Sequence, residues 1–162
     1  PRSTQGVSSA ASDVYKRQEV ETEYGHVLVF GVTEALTEQF NFSSIGLPLV
    51  EVIEKCEGLG AVPVPCHPGR PRVGMSAHLG EYGIPKGVRI VETLNGGSRN
   101  NEDEIAQSMA AQQSYLGIGG SDSHIVSHVG RCATEFTNPV ESEMELVEAL
   151  NAGEFNAVSF KT

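Results

Sequence analysis

Apolar and polar positions change period repeatedly along this chain, and each change marks an element. "HVLVFGV" (26–32) is apolar and β-branched, as a strand is, and a turn-prone glycine interrupts it. "TEALTEQF" (33–40) then predicts a short helix. In "PLVEVIEKCEGLG" (48–60) Val50, Ile53 and Leu59 recur at helical spacing, Pro48 suits the first turn, and Gly58 or Gly60 ends the helix. "AVPVP" (61–65) reads as a short strand whose prolines place it at an edge or a strand end. "HPGRPRVGMS" (67–76) is a loop by its glycines and prolines, and "GVRIVETLN" (87–95) is a strand. "NEDEIAQSMAAQQSYLG" (101–117) is the clearest helix, with an asparagine cap, acids in the first turn and Gly117 as its stop. After "IGG" come a β-like "VGRCATEFT" (129–137) and a last helix, with Ser142 and Glu145 as a capping box and Gly153 as the C-cap. Strands and helices alternating at this spacing predict an α/β fold built of βα units around parallel strands.

The first 18 residues, "PRSTQGVSSAASDVYKRQ", break this pattern. They carry no hydrophobic periodicity, and "SAASDVYKRQ" resembles adapter-derived sequence found in assembled metagenomic reads. The alternative is a natural flexible terminus. The expected organisation is a non-native segment over 1–18 and a partial domain over 19–162.

Composition narrows the function classes. The chain has 162 residues, enough for one domain with a real core, and its longest apolar runs fall far short of the roughly 20 residues a membrane span needs. No signal-peptide pattern is present. Cys56, Cys66 and Cys132 show no CxxC spacing, which argues against a disulfide framework or a thiolate zinc site and favours a reducing cytoplasm. A net charge of −10 disfavours a basic nucleic-acid face; a phosphorylated substrate would need local cations, metal ions above all.

Candidate chemistry collects where strands end. Glu19, Glu21 and Glu23 lie before His26 in the first strand region; His67 follows "AVPVP"; Asp122 and His124 follow "GIGG". Strand side chains alternate faces, so Asp122 and His124 share one face, as do Glu19 and Glu21. An acid and an imidazole side by side make two arms for a divalent metal; a polar turn or a wet strand face accounts for the same residues equally well. His78 and His128 are less well placed. Arg70, Arg99 and Arg131 suit phosphate contacts, with surface ion pairs as the alternative, and Cys66 reads as a small buried hydrophobe.

The stretches "EVETEYGHVLVFG", "GAVPVPCHPGRPRVG", "VETLNGGSRNNEDEIAQSMA" and "GIGGSDSHIVSHVGR", in this order, resemble the PHP (polymerase and histidinol phosphatase) family, in particular its small bacterial stand-alone phosphoesterases. The resemblance implies the C-terminal portion of a distorted (β/α)7 barrel, with two or three Mn, Fe or Zn ions at the strand ends. It implies Glu19 as the bridging carboxylate and His26, His67, Asp122 and His124 as further ligands, with Arg70, Arg99 and Arg131 near the phosphate and His128 as a proton donor. The implied reaction is metal-dependent phosphoester hydrolysis. Its substrate would be a small phosphomonoester, a nucleotide bisphosphate or an oligonucleotide end, without a duplex-binding face or a membrane. The family's His-x-His motif and later Asp-His step are absent, and Gln18 stands where the family has glycine before the bridging Glu. The expectation is therefore a chain with part of its metal cage missing and little activity of its own. The alternatives are a non-catalytic PHP-like module, structural or regulatory, and hydrolysis of a C–N or carboxyl-type bond.

Overall fold

The computed structural model describes residues 17–41 and 44–161. The segment set apart above lies outside the described residues except for Arg17 and Gln18, which form the start of strand β1 (Arg17–Thr22). Strand β2 (Gly25–Phe30) pairs antiparallel with β1, and β3 (Val62–Pro65) pairs antiparallel with the far side of β2. Helices α1 (Glu34–Gln39) and α2 (Leu49–Gly58) lie between β2 and β3 in sequence. A 3₁₀ turn (Met75–Ala77) and the one-turn α3 (Leu79–Tyr82) lead to β4 (Ile90–Asn95). Helix α4 (Glu102–Gln113) then brings β5 (Leu116–Gly120) parallel to β4. After a 3₁₀ turn (Val126–His128) come β6 (Cys132–Phe136), α5 (Glu143–Ala152) and β7 (Phe155–Ser159), which pairs antiparallel with β6.

The molecule is mixed α/β. Among the described residues its strands form three hydrogen-bonded sheets of three, two and two strands, with no closed barrel. This corrects the expectation of parallel βα units: among the described strands, β4 and β5 alone form a parallel ladder. The two residues between β1 and β2 leave no room for a crossover, so that pair has to be antiparallel. Alternation of element types is blind to strand direction, which is why the antiparallel β6–β7 pair also escaped it. Strand β7 itself was not anticipated.

Side-chain period builds the core. Along β2, Val27 and Val29 are buried on one face while His26, Leu28 and Phe30 stand half-buried on the other. The buried face joins Val20, Leu36, Leu49, Val52 and Ile53 in one cluster beneath α1 and α2. A second cluster gathers Val62, Val64, Ile90, Ile118, Leu150 and Phe155. Pro63 and Pro65 lack N–H donors and stand on the strand that ends the three-stranded sheet, as their spacing predicts.

Helix ends show which local signals were sufficient. Thr33 caps α1 through Leu36 N–H (3.3 Å), and Ser142 caps α5 through Glu145 N–H (3.2 Å), with Gly153 at φ 73° closing it. Helix α2 is capped from a distance: Glu23, in the β1–β2 turn, accepts from Leu49 N–H at 2.8 Å. Helix α4 differs from its reading. Asn101 makes no side-chain cap, three acids in the first turn face the helix dipole instead, and the stop is Ser114 at φ 59°, not Gly117. Gly117 lies in β5, where the chain is already extended. The glycine-rich β5 has a packing cause as well. A Cβ on Gly119 would sit 2.3 Å from the Ala133 carbonyl oxygen, so only glycine lets β5 approach β6 this closely.

Candidate metal centre

The half-buried face of β2 carries the first part of the site. Glu19 on β1 lies opposite Leu28, one diagonal step from His26, and that step brings its Oε1 within 2.7 Å of His26 Nδ1. The chain leaving β3 supplies the second part. Cys66 N–H donates to the His26 carbonyl oxygen (3.1 Å), and His67 follows at φ 33°, a left-handed conformation that side-chain-bearing residues rarely adopt. The His67 ring meets the His26 ring edge-on, centroids 5.2 Å apart, and its Nε2 lies 3.9 Å from Glu19 Oε1 and 3.4 Å from Cys66 Sγ. Donor atoms of Glu19, Cys66 and His67 all fall within 4.8 Å of one another, the spacing of a metal-holding cluster.

Asp122 supplies a further carboxylate. It lies past the end of β5, at φ 44°, and its Oδ2 accepts from Arg70 Nη2 at 2.7 Å. A cavity of about 780 Å³ has Glu19, Cys66, His67, Glu92, Asn95 and Asp122 among its walls. Three carboxylates therefore face one space together with one thiol and one imidazole, a field that draws a cation.

The ionisation of these groups follows from their surroundings. The imidazole of His67, foremost, and that of His26 hold the Glu19 carboxyl below its ordinary range, against the upward push of partial burial. Burial, reinforced by the carboxylates of Glu92, Glu19 and Asp122, pushes the Cys66 thiol well up. Burial likewise pushes the Glu92 carboxyl up, opposed by its hydrogen bonds from Asn95 and from His67 N–H. The residues present fit a cation on one further observation. His67 is only 5% exposed, and its buried Nδ1 has no hydrogen-bond partner. Its Nε2, the nitrogen that joins the cluster, lies 3.4 Å from Cys66 Sγ and 3.9 Å from Glu19 Oε1, contacts that an ion shared by the three groups would replace.

The other sequence-predicted residues are placed differently. The side chain of His124 is 84% exposed, with Nδ1 3.0 Å from the backbone oxygen of Asp122 and 3.8 Å from Asp122 Oδ1. Asp122 and His124 do not share a strand face, because β5 ends at Gly120 and alternation stops there. Arg70 is engaged by Asp122 and Asn95, and its Nε stands 3.9 Å from Glu102. Arg99 is exposed at the start of α4, where its N–H donates to Glu102 (3.0 Å). Arg131 is exposed before β6, and His128 ends the 3₁₀ turn that precedes it. Glu21 is exposed. Sequence reasoning missed Glu92 and Asn95, and it took Cys66 as a hydrophobe only. No local signal marked Glu92: "RIVETLN" is polar at four of its seven positions, and a carboxylate there reads as the wet face of a strand.

Comparison with known proteins adds to this geometry. Residues 100–155 match the model of the PHP-associated family (PHP_C), a span that includes Asp122, His124 and Arg131. No curated protein matches the sequence. Among solved structures the chain is similar to the lesion-specific endonuclease PfuEndoQ from Pyrococcus furiosus, at 19% identity and a TM-score of 0.57. The alignment covers 86% of this chain and 39% of the endonuclease, so the chain spans well under half of that protein's length. The resemblance to the PHP family read from four ordered stretches of sequence is thus met by a family match over residues 100–155.

Proposed function

We propose that this chain is a metal-dependent phosphoesterase of the PHP type. Glu19, His26, His67 and Asp122 form its metal-holding set, with His124 joining it only by turning in from solvent, and divalent Mn, Fe or Zn is its cofactor. The observation that carries this reading is the Glu19–Cys66–His67 cluster on the wall of a 780 Å³ cavity that Asp122 also lines. The PHP-associated match supports the reaction class, and the fold shared with a lesion-specific endonuclease supports a nucleotide or oligonucleotide substrate. Divalent ions held there would supply an activated water and offset charge on a phosphoryl group.

The chain's own groups do the holding. His26 keeps the Glu19 carboxylate turned toward His67 through the 2.7 Å contact. Arg70, pinned by Asp122 and Asn95, sets where the Asp122 carboxylate can point. The cavity has the size of a small-ligand pocket, which favours a phosphomonoester, a nucleotide bisphosphate or a single strand end. With a net charge of −10 the chain offers little attraction to a duplex backbone.

Calorimetric titration of the purified chain with Zn²⁺ and Mn²⁺, followed by phosphate-release assays on nucleotides and phosphorylated oligonucleotides, tests the reading. We expect saturable binding that Glu19→Gln and His67→Ala each weaken by roughly tenfold or more. Release is expected to be slow, because the His-x-His and Asp-His steps of the family have no counterpart in this sequence. It should nevertheless depend on metal and vanish in Glu19→Gln. Binding with no release from any substrate returns the non-catalytic module; binding indifferent to both substitutions, or none, overturns the metal site.

A further inference from the structure

A hydrogen-bonded chain of buried and half-buried groups runs behind the candidate metal centre. Glu92, only 3% exposed in the middle of β4, accepts two bonds on one oxygen: from the backbone N–H of His67 at 2.7 Å and from Asn95 Nδ2 at 2.8 Å. Asn95, 1% exposed at the end of β4, turns its own carbonyl oxygen the other way. There it accepts from Gly97 N–H at 2.8 Å and from Arg70 Nη2 at 3.2 Å. The same Arg70 nitrogen donates to Asp122 at 2.7 Å. The path therefore joins the backbone of one ligand candidate, past the end of β3, through β4 to the carboxylate of another, past the end of β5.

Both ends of this path are conformationally strained. His67 sits at φ 33° and Asp122 at φ 44°, and neither is a glycine. Residues held in such regions persist only where their surroundings over-determine them. Glu92 restrains the first by gripping its N–H, and Arg70 restrains the second by gripping its side chain. The opposite strand is shaped to admit this arrangement: a Cβ on Gly120 would lie 2.3 Å from Glu92 Oε1, so the last glycine of "GIGG" is what leaves room for the buried carboxylate. Glu92 lines the cavity, yet one of its oxygens is already committed to two N–H donors.

We propose that Glu92 and Asn95 are positioning residues that hold His67 and, through Arg70, Asp122 in their ligand geometry. The proposal rests on the reading of those two residues as metal-holding arms. Its test separates the two ideas by observing the chain without and with metal. In the metal-free chain, hydrogen exchange of the His67 amide and the ¹⁵N shifts of its imidazole report the positioning directly; Zn²⁺ titration reports its consequence. Glu92→Gln keeps an acceptor for the His67 N–H, so a protected amide, an unmoved imidazole and near-parental Zn²⁺ affinity are expected. Glu92→Leu removes the acceptor, and rapid amide exchange with about a 10–100-fold loss of affinity is expected. Asn95→Ala breaks the path without touching the His67 amide bond, and it serves if Glu92→Leu does not fold. It should shift the imidazole resonances and weaken Zn²⁺ binding. A Glu92→Gln variant as impaired as Glu92→Leu would mean that the charge itself is the ligand and would sink the proposal. So would an Asn95→Ala variant with unaltered resonances and affinity. If the parent chain bound no Zn²⁺ while the amide and imidazole behaved as expected, the positioning would stand and the metal reading would fall.

Discussion

The two faces of β2 show how differently one strand can be used. Val27 and Val29 point under the helices and are almost wholly excluded from water. His26, Leu28 and Phe30, on the other face, are half-buried, and Leu28 and Phe30 line the open cavity. The neighbouring strand repeats the division, with Val20 inward and Glu19 toward the cavity. Period-2 geometry thus separates the part of the sheet that holds the fold from the part that is free to carry chemistry. Stability and site should accordingly respond to different substitutions only one residue apart.

That division can be broken deliberately. The largest effect is expected on the packed side: Leu49→Ala, at a position fully buried in the cluster that receives Val27 and Val29, should cost about 3 kcal/mol in urea unfolding. Metal binding per unit of folded protein should survive it. Leu28→Ala, on the cavity face, should cost less than about 1 kcal/mol by the same measurement, because its wall is already open. Equal costs would show that the cavity is filled in solution and that the two faces are not distinct.

A third, smaller effect concerns how α4 is tied to the end of the chain. The Lys161 ammonium lies 2.6 Å from Asp103 Oδ2. Partial burial pushes the Asp103 carboxyl up, but the bonds from Lys161, Ser98 and the Asn95 N–H outweigh it and hold the group below its ordinary value of 3.8. A carboxyl depressed on folding adds stability that is present above its unfolded value and is lost as pH falls through its folded one. Acid melts of the parent and of Lys161→Met should therefore converge below about pH 4 and differ by under about 1 kcal/mol at neutral pH, since the pair is partly solvated. A gap that persisted in acid would show that Lys161 acts by packing instead.

Legibility varied with the range of the interactions involved. The cap of α5 was read because the Ser142 hydroxyl reaches only three residues along the chain; Thr33, whose reach over α1 is as short, was not singled out. The cap of α2 was not readable, since Glu23 reaches Leu49 across 26 positions. Glu19, His67 and Asp122 were read as candidates from their places at strand ends and from the family resemblance, and the structure gathers all three around one cavity. His124 was expected beside Asp122, yet its side chain faces solvent because the strand stops two residues short of Asp122. Glu92 and Asn95 were passed over although both are buried. Their partners, His67 and Arg70, lie 25 residues away.

By itself the sequence determined most of the local elements, α3 and β7 excepted, the acidic balance and the residue types able to hold a cation. These depend on neighbours within a turn of helix or two steps of strand, where covalent geometry dictates the spacing. Only the tertiary structure decided strand direction, the antiparallel pairing of β6 with β7, the burial of Glu92 and the chain of bonds from His67 to Asp122. Those features require segments far apart in sequence to meet. Which of them meet is settled by how the two apolar clusters close together, and no local pattern records it.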